Sequence, residues 1–92
     1  MPVYMIGYDL HRSEEEKYVG LYTALEAIGS GGFWDCLDQT WLVLTDRTPA
    51  QIRDELKPHL LEGDRLLVMA YGEGAAWCGF KDDCQTWLED NL

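Results

Sequence analysis

Two helix-start signals divide this chain into halves of the same kind. Ser13 is followed three residues later by Glu16, and Thr48 by Gln51. Each pair forms the capping box S/T-x-x-E/Q that marks a helix N-terminus. Apolar, strand-like runs lie before and after both signals. Because 92 residues leave no room for a second core, we predict a single domain, residues 1–92, made of two strand-helix-strand units.

The period of the apolar residues gives the expected bounds of the elements. Alternation with a period of two predicts strands, and apolar residues at i, i+3, i+4 and i+7 predict helices. The predicted strands are Val3–Leu10, Phe33–Leu37, Thr40–Thr45, Arg65–Tyr71 and a short extra strand at Ala75–Phe80. The predicted helices lie between Ser13 and Gly29, between Thr48 and Pro58, and at Asp82–Asn91.

This order of elements predicts an α+β fold, a ferredoxin-like βαββαβ sandwich with a short extra strand and a C-terminal helix. Both main helices then cover one face of an antiparallel sheet. The strands are nevertheless apolar on both faces, with Trp41 and Val43 on one side and Leu42 and Leu44 on the other. We expect the terminal helix or a second copy in a homodimer to cover the second face. Whether such a dimer pairs through that face or through the edge of the fourth strand stays open.

The charge and hydropathy of the chain restrict its partners. The net charge is −10, from 17 acidic and 7 basic side chains, whereas nucleic-acid backbones bind to basic faces. The balance therefore disfavours DNA and RNA and favours a protein partner with a basic surface. No apolar run approaches the roughly 20 residues that cross a bilayer, and the first residues have the pattern of a strand rather than of a signal sequence. We expect no membrane partner and a cytoplasmic location.

The three cysteines are Cys36, Cys78 and Cys84, an odd number without a CxxC pair. A disulfide framework or a structural zinc site favours paired, regular spacing. Cytosolic proteins keep such thiols reduced. The sequence therefore predicts three ordinary reduced thiols.

Asp9 is the strongest candidate for a catalytic and metal-binding residue, because it lies at the end of the first predicted strand. In a symmetric dimer, two copies of Asp9 facing each other can share a Mg²⁺ ion, which binds few carboxylates and several waters. His11 is the nearby candidate base. The alternative is that Asp9 is a turn residue that bonds to nearby backbone. Mg²⁺ is the cofactor only on the metal hypothesis, and the sequence names no other.

Other patterns are weaker. Asp35 and Asp38 form a carboxylate cluster with Asp9 only if their strands lie side by side, and otherwise they are solvated turn residues. Gly72-Glu73-Gly74 lacks the third glycine of a phosphate-binding loop and is better interpreted as a turn. The four tryptophans lack the basic groove in which proteins stack single-stranded bases. We expect them to pack in the core or at an interface.

Several segments carry a family resemblance: Tyr8-Asp9-Leu10, the run from Trp34 to Val43, Gly63 to Val68, and Ala75 to Phe80 with Trp87-Leu88. Together they resemble the small SinR-like proteins of bacteria and phages, over nearly the whole chain. Those proteins are in turn similar to the ferredoxin-like CRISPR adaptation subunit and to VapD-type toxins. The resemblance implies a homodimeric ferredoxin-like domain. It also implies that Asp9 matches an aspartate linked to metal-dependent nuclease activity.

Three functions remain open from the sequence. The leading hypothesis is a non-catalytic homodimeric interaction protein, related to the CRISPR adaptation subunit and phage- or defence-associated, that binds a protein or a nucleotide ligand. The second is a Mg²⁺-dependent RNA or DNA endonuclease that uses Asp9 of both protomers, which a basic cluster around Arg12 and Lys17 would favour. The third is an acidic mimic of nucleic acid.

Overall fold

The computed structural model describes every residue, Met1–Leu92, as a four-stranded antiparallel sheet with three α-helices. The elements are β1 (Val3–Asp9), α1 (Val19–Ile28), β2 (Phe33–Leu37), β3 (Thr40–Leu44), α2 (Pro49–Leu56), β4 (Arg65–Ala70) and α3 (Asp82–Asn91). One 3₁₀ turn, Glu15–Tyr18, precedes α1, and another, Lys57–His59, follows α2. The predicted α+β class is confirmed.

The strands lie side by side in the order β2-β3-β1-β4, and each neighbouring pair is antiparallel. In the central strand, Ile6 lies between Trp41 of β3 and Val68 of β4. Alternate side chains of the sheet pack with α1 and α2 in one apolar core. Its buried members are Tyr4, Ile6, Tyr8, Tyr18, Leu21, Leu25, Ile28, Trp41, Val43, Ile52 and Leu56.

The opposite face of the sheet is covered over one half only. Helix α3 packs against the β2 side, where the Trp34 indole N–H donates a 3.1 Å hydrogen bond to the Cys84 carbonyl. Trp34 and Leu88 are buried there. On the β4 side no element covers the sheet, and Leu67 and Met69 are exposed. The terminal helix therefore covers the β2 side of this face, as expected in part, and leaves the β4 side open.

One of the two predicted capping boxes forms. The Thr48 hydroxyl accepts a 3.1 Å hydrogen bond from the Gln51 amide, and the Gln51 side chain accepts a 2.9 Å bond from the Thr48 amide. The box predicted at Ser13 is wrong, because the chain turns through the 3₁₀ segment and α1 begins only at Val19. The chain before α1 is held by hydrogen bonds from the Arg12 amide to Tyr18, and from the His11 amide and the Tyr18 hydroxyl to Asp64.

The predicted fifth strand at Ala75–Phe80 is also wrong. This segment has no strand pairing. Gly74, just before it, and Gly79, within it, take positive φ angles of 101° and 89°. Such angles turn the chain away from extended pairing. Phe80 instead packs edge-on against Trp34, with ring centroids 5.1 Å apart. The segment thus leads α3 to its place over β2.

The prediction of three reduced thiols is wrong for two of them. Cys36 on β2 and Cys84 on α3 form a disulfide, with their Cα atoms 6.2 Å apart, while Cys78 is free and exposed. The spacing rule failed because the bond joins residues 48 positions apart, which meet only when α3 packs on the sheet. None of the helices is both long and apolar enough to cross a membrane.

Candidate functional site

The open half of the second sheet face presents an apolar surface. Gly7 lies opposite Leu67, and Met5 lies opposite Met69, in the β1–β4 pairing. Leu67 is 55% exposed and Met69 50% exposed. We call these four residues the β4 patch. Leu67 and Met69 are thus two large apolar side chains exposed on the same face of β4.

Asp9 and Arg65 form an ion pair at one end of the β4 patch. They are cross-strand partners at the last paired position of β1 and β4, and an Arg65 N–H donates to the Asp9 carboxylate. The hydrogen bond and the positive charge of Arg65 lower the pKa of Asp9. Both side chains are exposed. The predicted site residue is thus an ionised carboxylate that already has a cationic partner.

The carboxylate cluster considered from the sequence does not form. Strand β3 separates β2 from β1, so Asp35 and Asp38 lie away from Asp9. They line a cleft on the helix side of the sheet, whereas Asp9 joins Arg65 at the β4 side. The structure contains no group of three or more His, Cys, Asp or Glu side chains that could together hold a metal ion. Asp9 therefore belongs to no such group.

The helix-side cleft is the second candidate site. It has a volume of about 300 Å³, and it is lined by Tyr8, Tyr22, Glu26, Asp35, Leu37, Asp38 and Trp41. We call it the acidic cleft. The Trp41 indole N–H donates a 3.0 Å hydrogen bond to the Tyr8 hydroxyl. Burial raises the pKa of Tyr8, and the nearby Asp35 and Asp38 charges add to this effect, so the phenol stays protonated.

Asp64 organises the loops next to Asp9, a role that the sequence did not indicate. Its carboxylate accepts hydrogen bonds from the His11 amide at 2.7 Å, the Leu61 amide at 2.8 Å and the Tyr18 hydroxyl at 2.9 Å. Burial alone would raise the pKa of Asp64, but these bonds outweigh it and lower the pKa. The Tyr18 oxygen in turn accepts from the Arg12 amide. The network fixes the β1–α1 loop to the loop before β4.

The remaining candidates from the sequence are the possible basic cluster, His11 and the glycine-rich loop. Arg12 and Lys17 lie on an exposed segment that also carries Glu14, Glu15 and Glu16, so its charges sum to negative and form no basic cluster. His11 contributes its backbone amide to the Asp64 network. The glycines of Gly72-Glu73-Gly74 lie in an exposed loop that opens no helix.

No protein-family model, curated protein or solved structure matches this chain. The resemblance to SinR-like proteins therefore stays a prediction from the sequence. The β4 patch and its ion pair are the observations from which a function is argued.

Proposed function

We propose that this chain is a non-catalytic interaction protein that forms a homodimer through the β4 patch. The observation that carries the proposal is the exposure of Leu67 and Met69 on a sheet face that no part of the chain covers. We further propose that the fold is ferredoxin-like. The strand order β2-β3-β1-β4 supports this, as does the packing of α1 and α2 in one core.

A second copy of the chain suits this surface because the β4 patch and its ion pair are self-complementary. In a two-fold dimer the same patch faces itself, so every contact occurs twice. Asp9 and Arg65 present both signs of charge side by side, and two-fold rotation can place each sign opposite its complement. This local balance limits the repulsion expected between two chains of net charge −10.

Leu67→Asp is expected to convert the dimer to monomer. A carboxylate at the centre of an apolar interface must lose its hydration, and a central contact of this kind contributes at least about 2 kcal/mol, or roughly thirtyfold in the dissociation constant. Sedimentation equilibrium over a concentration series measures it. Val19→Asp is the matched control, because Val19 is 60% exposed on α1, outside the patch. A monomeric wild type, or equal effects of both variants, would contradict the proposal.

We expect no metal-dependent nuclease activity. Arg65 already neutralises the Asp9 carboxylate, and the acidic surface repels the phosphate backbone that a nuclease must approach. The measurement is cleavage of labelled single-stranded RNA, single-stranded DNA and duplex DNA with Mg²⁺ or Mn²⁺, comparing wild type with Asp9→Ala at equal dimer content. Cleavage that requires metal and disappears in Asp9→Ala would show that the chain is an endonuclease that uses Asp9.

The proposed partner is a protein with a basic surface, since 17 acidic side chains favour such a surface over nucleic acid. The relation to the CRISPR adaptation subunit, with a phage or defence role, is supported by the sequence resemblance alone. The Cys36–Cys84 disulfide weighs against the reducing cytoplasm that the sequence predicts, because such bonds persist in oxidising compartments.

A further inference from the structure

Helix α3 is joined to the rest of the fold by few noncovalent contacts. The linker before it, residues 72–80, makes no backbone–backbone hydrogen bond. One hydrogen bond connects α3 to the sheet, from the Trp34 indole to the Cys84 carbonyl, and none of the ion pairs involves the helix. Leu88 is its one buried residue. The Cys36–Cys84 disulfide is therefore the only covalent tie that holds α3 on the sheet.

The charges of α3 do not hold it in place either. The helix carries four acidic side chains and no basic one, and the rest of the chain also has more acidic than basic side chains. Asp35 of β2 and Asp83 of α3 line the same groove beside the disulfide. Because like charges repel, these carboxylates oppose the docking of α3, and the covalent bond keeps the helix in position against them.

The disulfide is accessible to a reductant in the folded chain. Cys36 and Cys84 are both partly exposed, and they line an open groove of about 250 Å³ at the β2 edge of the sheet. Exposed disulfides are the ones that thiols attack readily. One thiolate of a dithiol attacks a sulfur of the pair and releases the other cysteine. The second thiol of the reductant then displaces the first cysteine, so the reductant ends as a disulfide and both cysteines end as protonated thiols.

A row of apolar side chains crosses the second face of the sheet, from the side that α3 covers to the β4 patch. Trp34 pairs with Leu42, Leu42 with Met5, and Met5 with Met69. Residues directly opposite each other in antiparallel strands share a face. The Trp34 end of the row is 5% exposed, whereas Met69 is 50% exposed. Release of α3 therefore extends the open apolar surface from the β4 side to all four strands.

We propose that α3 is a redox-controlled cover of the sheet, which the Cys36–Cys84 disulfide holds in place and which reduction by a dithiol releases. The uncovered row is continuous with the β4 patch, so its occupant is a second copy of the chain. In a two-fold dimer the added surface counts on both copies, and reduction therefore strengthens the homodimer. The inference rests on the proposed homodimer and names its regulation.

The first test compares the oxidised chain with the chain reduced by dithiothreitol and kept free of oxygen. Thiol titration without denaturant should find Cys78 alone before reduction and all three cysteines after it. Hydrogen exchange should show the α3 amides losing protection at least about tenfold, while the amides of β1 and β3 keep theirs. A protected α3 in the reduced chain would overturn the proposal. Loss of protection in β1 and β3 would also overturn it, because the bond would then hold the whole fold.

Sedimentation equilibrium of the same two samples measures the effect on the dimer. The dissociation constant should fall at least about tenfold on reduction, and reoxidation should restore it. Cys36→Ser should match the reduced wild type with or without dithiothreitol. Cys78→Ser is the control, because Cys78 takes no part in the bond, and it should respond to dithiothreitol as the wild type does. A Cys78→Ser chain that does not respond would overturn the assignment to Cys36 and Cys84.

The same measurements separate this inference from the proposed homodimer. A dimer with the same dissociation constant in both states, although α3 is released, would refute only the redox control. A monomer when oxidised that becomes a dimer when reduced would support the redox control and refute a dimer formed through the β4 patch alone. A monomer in both states would refute both proposals.

Discussion

Cys36→Ser is expected to lower the free energy of unfolding by about 4 kcal/mol, because the disulfide closes a long loop in the unfolded chain. Cys36 and Cys84 are 48 positions apart, and the entropy of closing a loop grows with its length. The remaining contacts of α3 are few, chiefly the Trp34 hydrogen bond and the burial of Leu88. A helix of 10 residues is marginal alone, so we expect α3 to leave the sheet in the variant.

Urea denaturation followed by far-UV circular dichroism measures this effect, and hydrogen exchange of the α3 amides localises it. Cys84→Ser should match Cys36→Ser, because either change removes the same bond. Cys78→Ser is the control, since Cys78 is free and exposed, and it should change stability by less than about 0.5 kcal/mol. A stable, protected α3 in Cys36→Ser would show that packing alone holds the helix.

Asp64→Ala is expected to cost about 2 to 3 kcal/mol, because hydrogen bonds to a charged acceptor are stronger than neutral ones and several are lost together. The His11 amide, the Leu61 amide and the Tyr18 hydroxyl all lose their acceptor. The loss of the acceptor costs most at the Tyr18 hydroxyl, because the Tyr18 side chain is buried with the main core. Asp54→Ala is the matched control, because Asp54 forms only an exposed pair with Arg53 and should cost less than about 1 kcal/mol.

The contribution of Asp64 should also depend on pH. Its pKa in the folded chain is below the ordinary value of 3.8, so the folded state binds the proton more weakly than the unfolded state does. Its stabilising effect is therefore complete above the unfolded pKa and is lost as the pH falls through the folded pKa. The difference in unfolding free energy between wild type and Asp64→Ala should shrink below about pH 4. A difference that stays constant from pH 7 to pH 3 would contradict this assignment.

Local signals predicted the elements well where no other part of the chain competed. Thr48, Pro49 and Gln51 set the start of α2 by their own hydrogen bonds and backbone angle, so the sequence was sufficient there. Ser13 has a similar pattern, but the loop around it is held by bonds from Arg12 to Tyr18 and from His11 to Asp64. Asp64 is 53 positions from His11 and also accepts from the Tyr18 hydroxyl, and in this setting α1 begins only at Val19.

The site residues show the same limit. Asp9 could be identified from its position at a strand end, but its partner Arg65 depends on the register of β1 against β4, which the sequence does not reveal. The disulfide between Cys36 and Cys84 depends on the packing of α3. Asp35, which lines the acidic cleft, lies in the irregular stretch of β2 between Trp34 and Leu37. Each of these features is formed by residues that come together only in the folded chain.

The two edges of the sheet differ in a way that limits assembly. Strand β2, at one edge, has an irregular register between Trp34 and Leu37 and carries the Asp35 charge, and both features hinder pairing with another strand. Strand β4, at the other edge, pairs regularly with β1. A fibre needs two receptive edges on every copy, and this chain offers one. Growth by strand addition alone should therefore stop at a pair of copies joined through β4.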